Sequence, residues 1–172
     1  LALRVTTAHV KRVTTDQFVG VSTHQAAALT SAQVANLTTT QIQAIETADI
    51  EAMGATQFRA LTSAQAAALT TDQVQAIETA DLQVLTTAAV RGLTTESIVA
   101  LTTEQVGVLT SSQVAALTTT QVQAIETSDI AALTTTQVRA LSSAQTAALT
   151  TDQEAAIETG DTYALTTAAV RG

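Results

Sequence analysis

From Val5 to Gly172 the chain is one eight-residue phrase written 21 times, with no insertion or deletion. This periodicity constrains the fold more than any other feature, because each unit must make contacts that its neighbours can repeat. Position 1 is always aliphatic, as in Leu29, Leu37, Ile45 and Met53. Position 2 is Thr or Ser in 16 octads, position 3 in 20, and position 5 is Gln in 13. Position 6 is mostly Val, Ile, Leu or Phe, and position 8 is Ala or Gly in 17. The consensus is Leu-Thr-Thr-x-Gln-Val-x-Ala.

Neither regular backbone carries this phrase along the whole chain. In a strand, positions 1 and 6 would point to opposite faces. In one unbroken helix each octad advances about 800°, so the apolar stripe would rotate about 80° per repeat and build no lasting seam. A helix restarted in every octad does suit it. Thr38 followed three residues later by Gln41 is the capping-box pattern, and Leu37 with Ile42 forms the hydrophobic staple beside it. The same pairs recur at Thr70 and Gln73, Thr118 and Gln121, and Thr150 and Gln153. A helix of about six residues cannot stand alone in water, so stacking must supply the stability. We therefore expect an all-α solenoid or superhelix with one very short helix per octad. Positions 1 and 6 line the shared core, and the small residue at position 8 lets segments approach. Two alternatives stand beside this reading: a cap at position 3, as at Thr39, and longer helices spanning two octads.

A variant phrase, Ile-Glu-Thr-x-Asp, begins at Ile45, Ile77, Ile125 and Ile157. Residues 45–92 match residues 125–172 at 34 of 48 positions, so residues 13–92 and 93–172 read as two 80-residue units of ten octads. Residues 1–12 read as the tail of a preceding unit, and the chain as a fragment of a longer array. Charge alternates as well. Lys11, Arg12, Arg59, Arg91, Arg139 and Arg171 lie in odd octads, whereas 11 of the 15 acidic residues lie in even ones. That alternation leads us to expect an even number of octads per turn. Each variant Asp is followed ten residues later by Arg, giving Asp49 and Arg59, Asp81 and Arg91, Asp129 and Arg139, and Asp161 and Arg171. These four are expected to meet as ion pairs that fix register, because exposed pairs contribute about 1 kcal/mol or less.

Composition removes several classes of function. A net charge of −8 with no cluster of Lys or Arg argues against nucleic acid and anionic membranes as partners. No apolar run reaches the roughly 20 residues that span a bilayer. Zero Cys excludes disulfides and thiolate metal sites. An enzyme needs a unique constellation, and a repeat multiplies one environment instead. His9 and His24 stand without a nearby His or Cys, so no catalytic role and no resident cofactor is expected. The acids Glu46 and Asp49, Glu78 and Asp81, Glu126 and Asp129, and Glu158 and Asp161 are weak candidates for Ca²⁺, since a calcium site usually gathers 6–8 oxygens. Acids near a helix N-terminus, favoured by the dipole, account for them better and need no metal. Thr columns aligned across coils would make a flat array, which keeps ice binding or adhesion as an alternative function.

The phrases Leu-Thr-Thr-x-Gln-Val-x-Ala and Ile-Glu-Thr-x-Asp-Ile resemble the Thr-rich tandem arrays of very large secreted or surface proteins of Gram-negative bacteria, often labelled adhesin-like. The resemblance covers nearly the whole chain. It implies a structural repeat protein, extracellular or at the cell surface, acting as a stalk or a self-assembling filament that associates end to end or side by side. It transfers no catalytic residue.

Overall fold

A restarted helix needs a start signal, a stop and a place to bury its apolar side, and the computed structural model, which describes Thr14 and residues 21–157, supplies all three. Its described residues form two compact units, one ending at Leu93 and the other beginning at Thr94. The first holds α1 (Thr23–Ala27), α2 (Ser31–Ala35), α3 (Thr39–Gln43), α4 (Thr47–Ala52), α5 (Ala55–Phe58), α6 (Ser63–Ala67), α7 (Thr71–Gln75), α8 (Thr79–Leu82) and α9 (Thr87–Gly92). The second holds α10 (Thr95–Ala100), α11 (Thr103–Gly107), α12 (Ser111–Ala116), α13 (Thr119–Ala124), α14 (Thr127–Ala131), α15 (Thr135–Val138) and α16 (Ser143–Thr146), and residues 151–157 are helical too. Among the described residues, each octad carries one short helix, of four to six residues in α1–α16. The fold is thus an all-α solenoid of very short helices. The tail 1–12 and the site candidates Glu158, Asp161 and Arg171 lie outside the described residues.

The start is at position 2. Thr38 sits in extended conformation at φ −75° and ψ 160°, and its hydroxyl accepts from the Gln41 amide. Thr70, Thr118 and Thr134 repeat that geometry. Position 3, the alternative cap, is already the first helical residue, and no helix among those described spans two octads. The stop uses neither Gly nor a left-handed residue, since no positive φ occurs among the described residues. Instead the last turn tightens: the position-1 N–H bonds back three residues, as Leu37 N–H does to the Val34 carbonyl at 3.0 Å and Ile45 N–H to the Ile42 carbonyl at 3.2 Å. That is the 3₁₀ closure common at helix ends. Position 1 then turns extended, at φ −56° and ψ 143° for Leu117 and φ −65° and ψ 129° for Ile125. Two successive extended residues, the aliphatic one and the Thr cap, make the corner between one helix and the next.

In both units, each helix packs on the one three octads further along, α1 on α4, α2 on α5, α3 on α6 and α4 on α7, and likewise α10 on α13 and α11 on α14. Position 6 is the deepest site of this stack. Ile42, Phe58, Val74, Leu82, Val106 and Val122 have no exposed surface at all. Position 1 joins them, with Leu37, Met53, Leu61 and Leu117 buried. Full burial of such aliphatics contributes roughly 1.5–3 kcal/mol each, which is what helices of this length need in order to persist. The polar residues at core position 6 behave differently. Thr146 is half-buried and turns its hydroxyl back onto the Ser142 carbonyl at 3.1 Å, and Glu154 is exposed.

One contact is made by backbone alone. A Cβ built on Gly92 would collide with the Ser63 carbonyl, because α9 lies directly against the start of α6. Gly107, by contrast, faces open space. Gly92→Ala is therefore expected to lower stability by about 1–3 kcal/mol through overpacking. Gly107→Ala should raise it by about 0.5–1 kcal/mol by removing backbone entropy from a helix. Urea unfolding of the two variants gives both signs.

Candidate functional site

The polar residue that repeats most strictly inside the core is the Gln of position 5. Gln41, Gln65, Gln73, Gln105, Gln113, Gln121, Gln137, Gln145 and Gln153 are all buried, at 2–3% exposure. A buried primary amide must find partners for one acceptor and two donors. The acceptor faces its own helix: Gln41 Oε1 accepts from Thr38 N–H at 2.9 Å, and Gln73 Oε1 from Thr70 N–H at 2.9 Å. The reciprocal bonds, Gln41 N–H to Thr38 Oγ1 and Gln73 N–H to Thr70 Oγ1, are each 3.2 Å. Thr118 with Gln121 and Thr150 with Gln153 close the same two-bond box.

The donors face the preceding coil. Gln65 Nε2 donates to the carbonyls of Val34 at 2.7 Å and Leu37 at 2.8 Å, 31 and 28 residues earlier. Gln73 Nε2 reaches Ile42 at 2.8 Å and Ile45 at 2.6 Å. In the second unit Gln145 reaches Val114 and Leu117, and Gln153 reaches Val122 and Ile125, over the same two separations. The accepting carbonyls belong to positions 6 and 1, the end of a helix and its corner. Both lack the i to i+4 donor of a continuing helix; the position-6 carbonyl also accepts the position-1 N–H of its own corner, and the amide adds a second donor to it. One side chain thus starts its own helix and finishes another a coil away. Gln57 does both even where the cap is Gly54 and no hydroxyl is present, bonding Gly54 N–H, the Ala27 carbonyl and the Leu29 carbonyl. Among the described residues no buried side-chain nitrogen or oxygen is left without a partner.

In the variant octads an acid occupies this amide slot. Asp49, Asp81 and Asp129 are buried at 5%, 8% and 3% exposure. They form no capping box, and Glu46, Glu78 and Glu126 at the N-cap accept no side-chain cap bond. Burial pushes the carboxyls of Asp49 and Asp81 above the usual carboxylate range, and the neighbouring Glu46 and Glu78 push them further. Asp129 accepts a bond of 2.6 Å from the hydroxyl of Thr103. Arg59, Arg91 and Arg139 stand at position 7 and are exposed, so each Asp lies inside the stack and each following Arg lies at its surface. Among the described residues no three His, Asp or Glu side chains gather as a metal site would require. Glu46, Glu78 and Glu126 are exposed while their Asp partners are buried. The Thr residues of position 3, among them Thr39, Thr71, Thr103, Thr119 and Thr135, are exposed on the outside.

Reading the phrase as a capping box accounts for half of what the Gln does. The donor half had a signal in the sequence. Position 5 is Gln in 13 octads and never Glu, although Glu completes a capping box equally well. Only an amide supplies both an acceptor and donors.

The ALTTAQ repeat family matches the chain three times, over residues 42–76, 74–111 and 122–156. No curated protein and no solved structure matches it.

The two roles of the amide separate in one substitution. Gln145→Glu keeps the acceptor for Ser142 N–H, removes both donors and sets a carboxylate against the Val114 and Leu117 carbonyls. We expect a loss on the order of 2–4 kcal/mol at neutral pH. Gln123→Glu, at an exposed position 7, should stay within about 0.5 kcal/mol. Denaturant titration of both chains measures the contrast.

Proposed function

The chain belongs to the ALTTAQ repeat family, and from that premise we propose that this structural repeat protein serves as an extracellular or cell-surface stalk, or as a self-assembling filament. The observation that carries this reading is the direction of the Gln bonds. Within each unit, amide donors face the preceding coil and helix-end carbonyls face the following one. A coil is therefore polar, with a donor edge and an acceptor edge, and a further coil or a second copy can add to it head to tail. Two 80-residue units, 13–92 and 93–172, would be successive modules of such an array.

The rest of the chain suits a spacer and no chemistry. Among the described residues the corners are two extended residues long, which leaves no long loop there on which a unique catalytic constellation could be mounted. We propose that it is not an enzyme, and that its charge of −8 without clustered cations keeps it from nucleic acid. No helix among the described residues is long and apolar enough to cross a membrane.

A second reading, an ice-binding or adhesive face, is favoured by the exposed Thr residues that recur at a constant interval, Thr39 and Thr71 in one unit and Thr103 and Thr135 in the other. Electron microscopy and sedimentation across a concentration series separate the two. A stalk or filament protein gives particles of constant width that lengthen with concentration. A chain that stays monomeric throughout and alters ice growth would replace the first reading by the second. Antibody labelling of intact, unpermeabilised cells tests the surface location, and labelling only after permeabilisation would contradict it.

A further inference from the structure

An ordinary octad is held by four bonds at its position-5 residue. Gln65 Oε1 accepts from Thr62 N–H at 2.9 Å, Gln65 N–H donates to Thr62 Oγ1 at 3.3 Å, and Nε2 donates to the Val34 and Leu37 carbonyls at 2.7 and 2.8 Å. The first two hold the start of the helix, and the other two hold the preceding coil. A variant octad keeps the burial and loses these bonds. Glu78 at the N-cap of α8 accepts no cap bond, α8 has no capping box, and among the described residues the Asp81 side chain forms no hydrogen bond. The octad of Glu46 and Asp49 is alike. The register of the Gln bonds puts the Met53 carbonyl 28 residues before Asp81, and among the described residues that carbonyl receives no donor. Yet Ile77 and Leu82 are 2% and 0% exposed, as deeply buried as Leu69 and Val74 in the octad before.

We propose that the Asp octads are the yielding joints of the array, where a coil is held on the one before it chiefly by apolar packing. Apolar contact is non-directional and tolerates small displacements, whereas an amide that donates to two carbonyls fixes distance and angle together. A missing amide does not by itself make a joint. At Ala89 the slot also lacks a donor, but there Gly92 sits directly on the Ser63 backbone, with α9 against α6. Asp129 is intermediate. Its Oδ1 accepts from Thr103 Oγ1 at 2.6 Å, 26 residues earlier, whereas the residue 26 before Asp81 is Ala55, which has no hydroxyl. The joints are therefore graded, with Asp81 looser than Asp129.

In a stalk, joints at Asp49, Asp81 and Asp129, 32 and 48 residues apart, let the rod give under load while the amide-held octads between them stay closed. That use rests on the stalk reading. The opening itself belongs to a single chain and is measured without assembly.

Backbone hydrogen exchange by NMR on the full chain, corrected for intrinsic rates, reads the opening. Leu82 N–H to the Glu78 carbonyl, Val74 N–H to the Thr70 carbonyl and Ile130 N–H to the Glu126 carbonyl are equivalent bonds, each 2.9 Å. Each hydrogen bond changes an opening equilibrium by roughly two- to tenfold, so Leu82 should exchange on the order of tenfold or more faster than Val74, with Ile130 between them. In the double variant Glu78→Thr with Asp81→Gln, which restores the cap and the amide, Leu82 should slow to the rate of Val74. Asp81→Ala removes the charge and restores no bond, and should leave Leu82 faster than Val74. Thr103→Val should speed Ile130 towards the rate of Leu82. A parent Leu82 no faster than Val74 overturns the proposal, and so does a double variant that leaves Leu82 unchanged. An Asp81→Ala chain as slow as the double variant overturns it as well, because charge alone would then be responsible. Fast exchange at Leu82 that the double variant corrects, in a chain that stays monomeric at every concentration, would remove the filament and keep the joints.

Discussion

A primary amide buried at the first turn of a short helix is the interaction on which this structure depends. A five-residue helix has far more unpaired backbone groups than paired ones, since the first four N–H and last four C=O lack intrahelical partners. Stacking such helices by apolar contact alone would bury those groups at roughly 1–3 kcal/mol each. The Gln of position 5 removes the conflict. Gln73 takes the Thr70 N–H at its oxygen and gives both amide hydrogens to Ile42 and Ile45. Start and end of two helices in different coils are satisfied by a single side chain, so the polar problem of short helices becomes the means of joining coils.

The corner is the complementary constraint. A chain with no Pro and six Gly cannot rely on the common left-handed helix stop. Here the helix tightens in its last turn, and an aliphatic residue and a Thr in extended conformation carry the chain around, as at Leu117 and Thr118. The aliphatic residue also fills the core, with Leu117 5% exposed. Corner geometry and core burial are thus encoded by the same position, which is why no octad gains or loses a residue.

How much of this was legible can be traced residue by residue. Helix restart, the box of Thr38 with Gln41 and the apolar role of Ile42 followed from local rules of capping and burial, which act over three or four residues. Reach between coils did not. The bond from Gln65 to Val34 spans 31 residues, and no local rule announces which carbonyl an amide will find. The preference for Gln over Glu at position 5 contained that information, since it makes sense only if the donors are used. The spacing of Asp81 and Arg91 leads to the expectation of an ion pair, but spacing says nothing of depth: Asp81 is buried and Arg91 is exposed. The acids at position 5 are understandable only once the slot they occupy is known to be an amide slot.

If the amides join the coils, they are donors held between coils in solution. Hydrogen exchange of Gln side-chain amides, followed by NMR on the full chain, addresses that directly. The Nε2 hydrogens of Gln65, Gln73, Gln145 and Gln153 should exchange much more slowly than those of Gln43 and Gln123, which sit on the exposed position 7, because release requires the coils to part. Equal exchange rates in the two groups would show that the amides are open to water, and the coils would have to be joined by apolar packing alone.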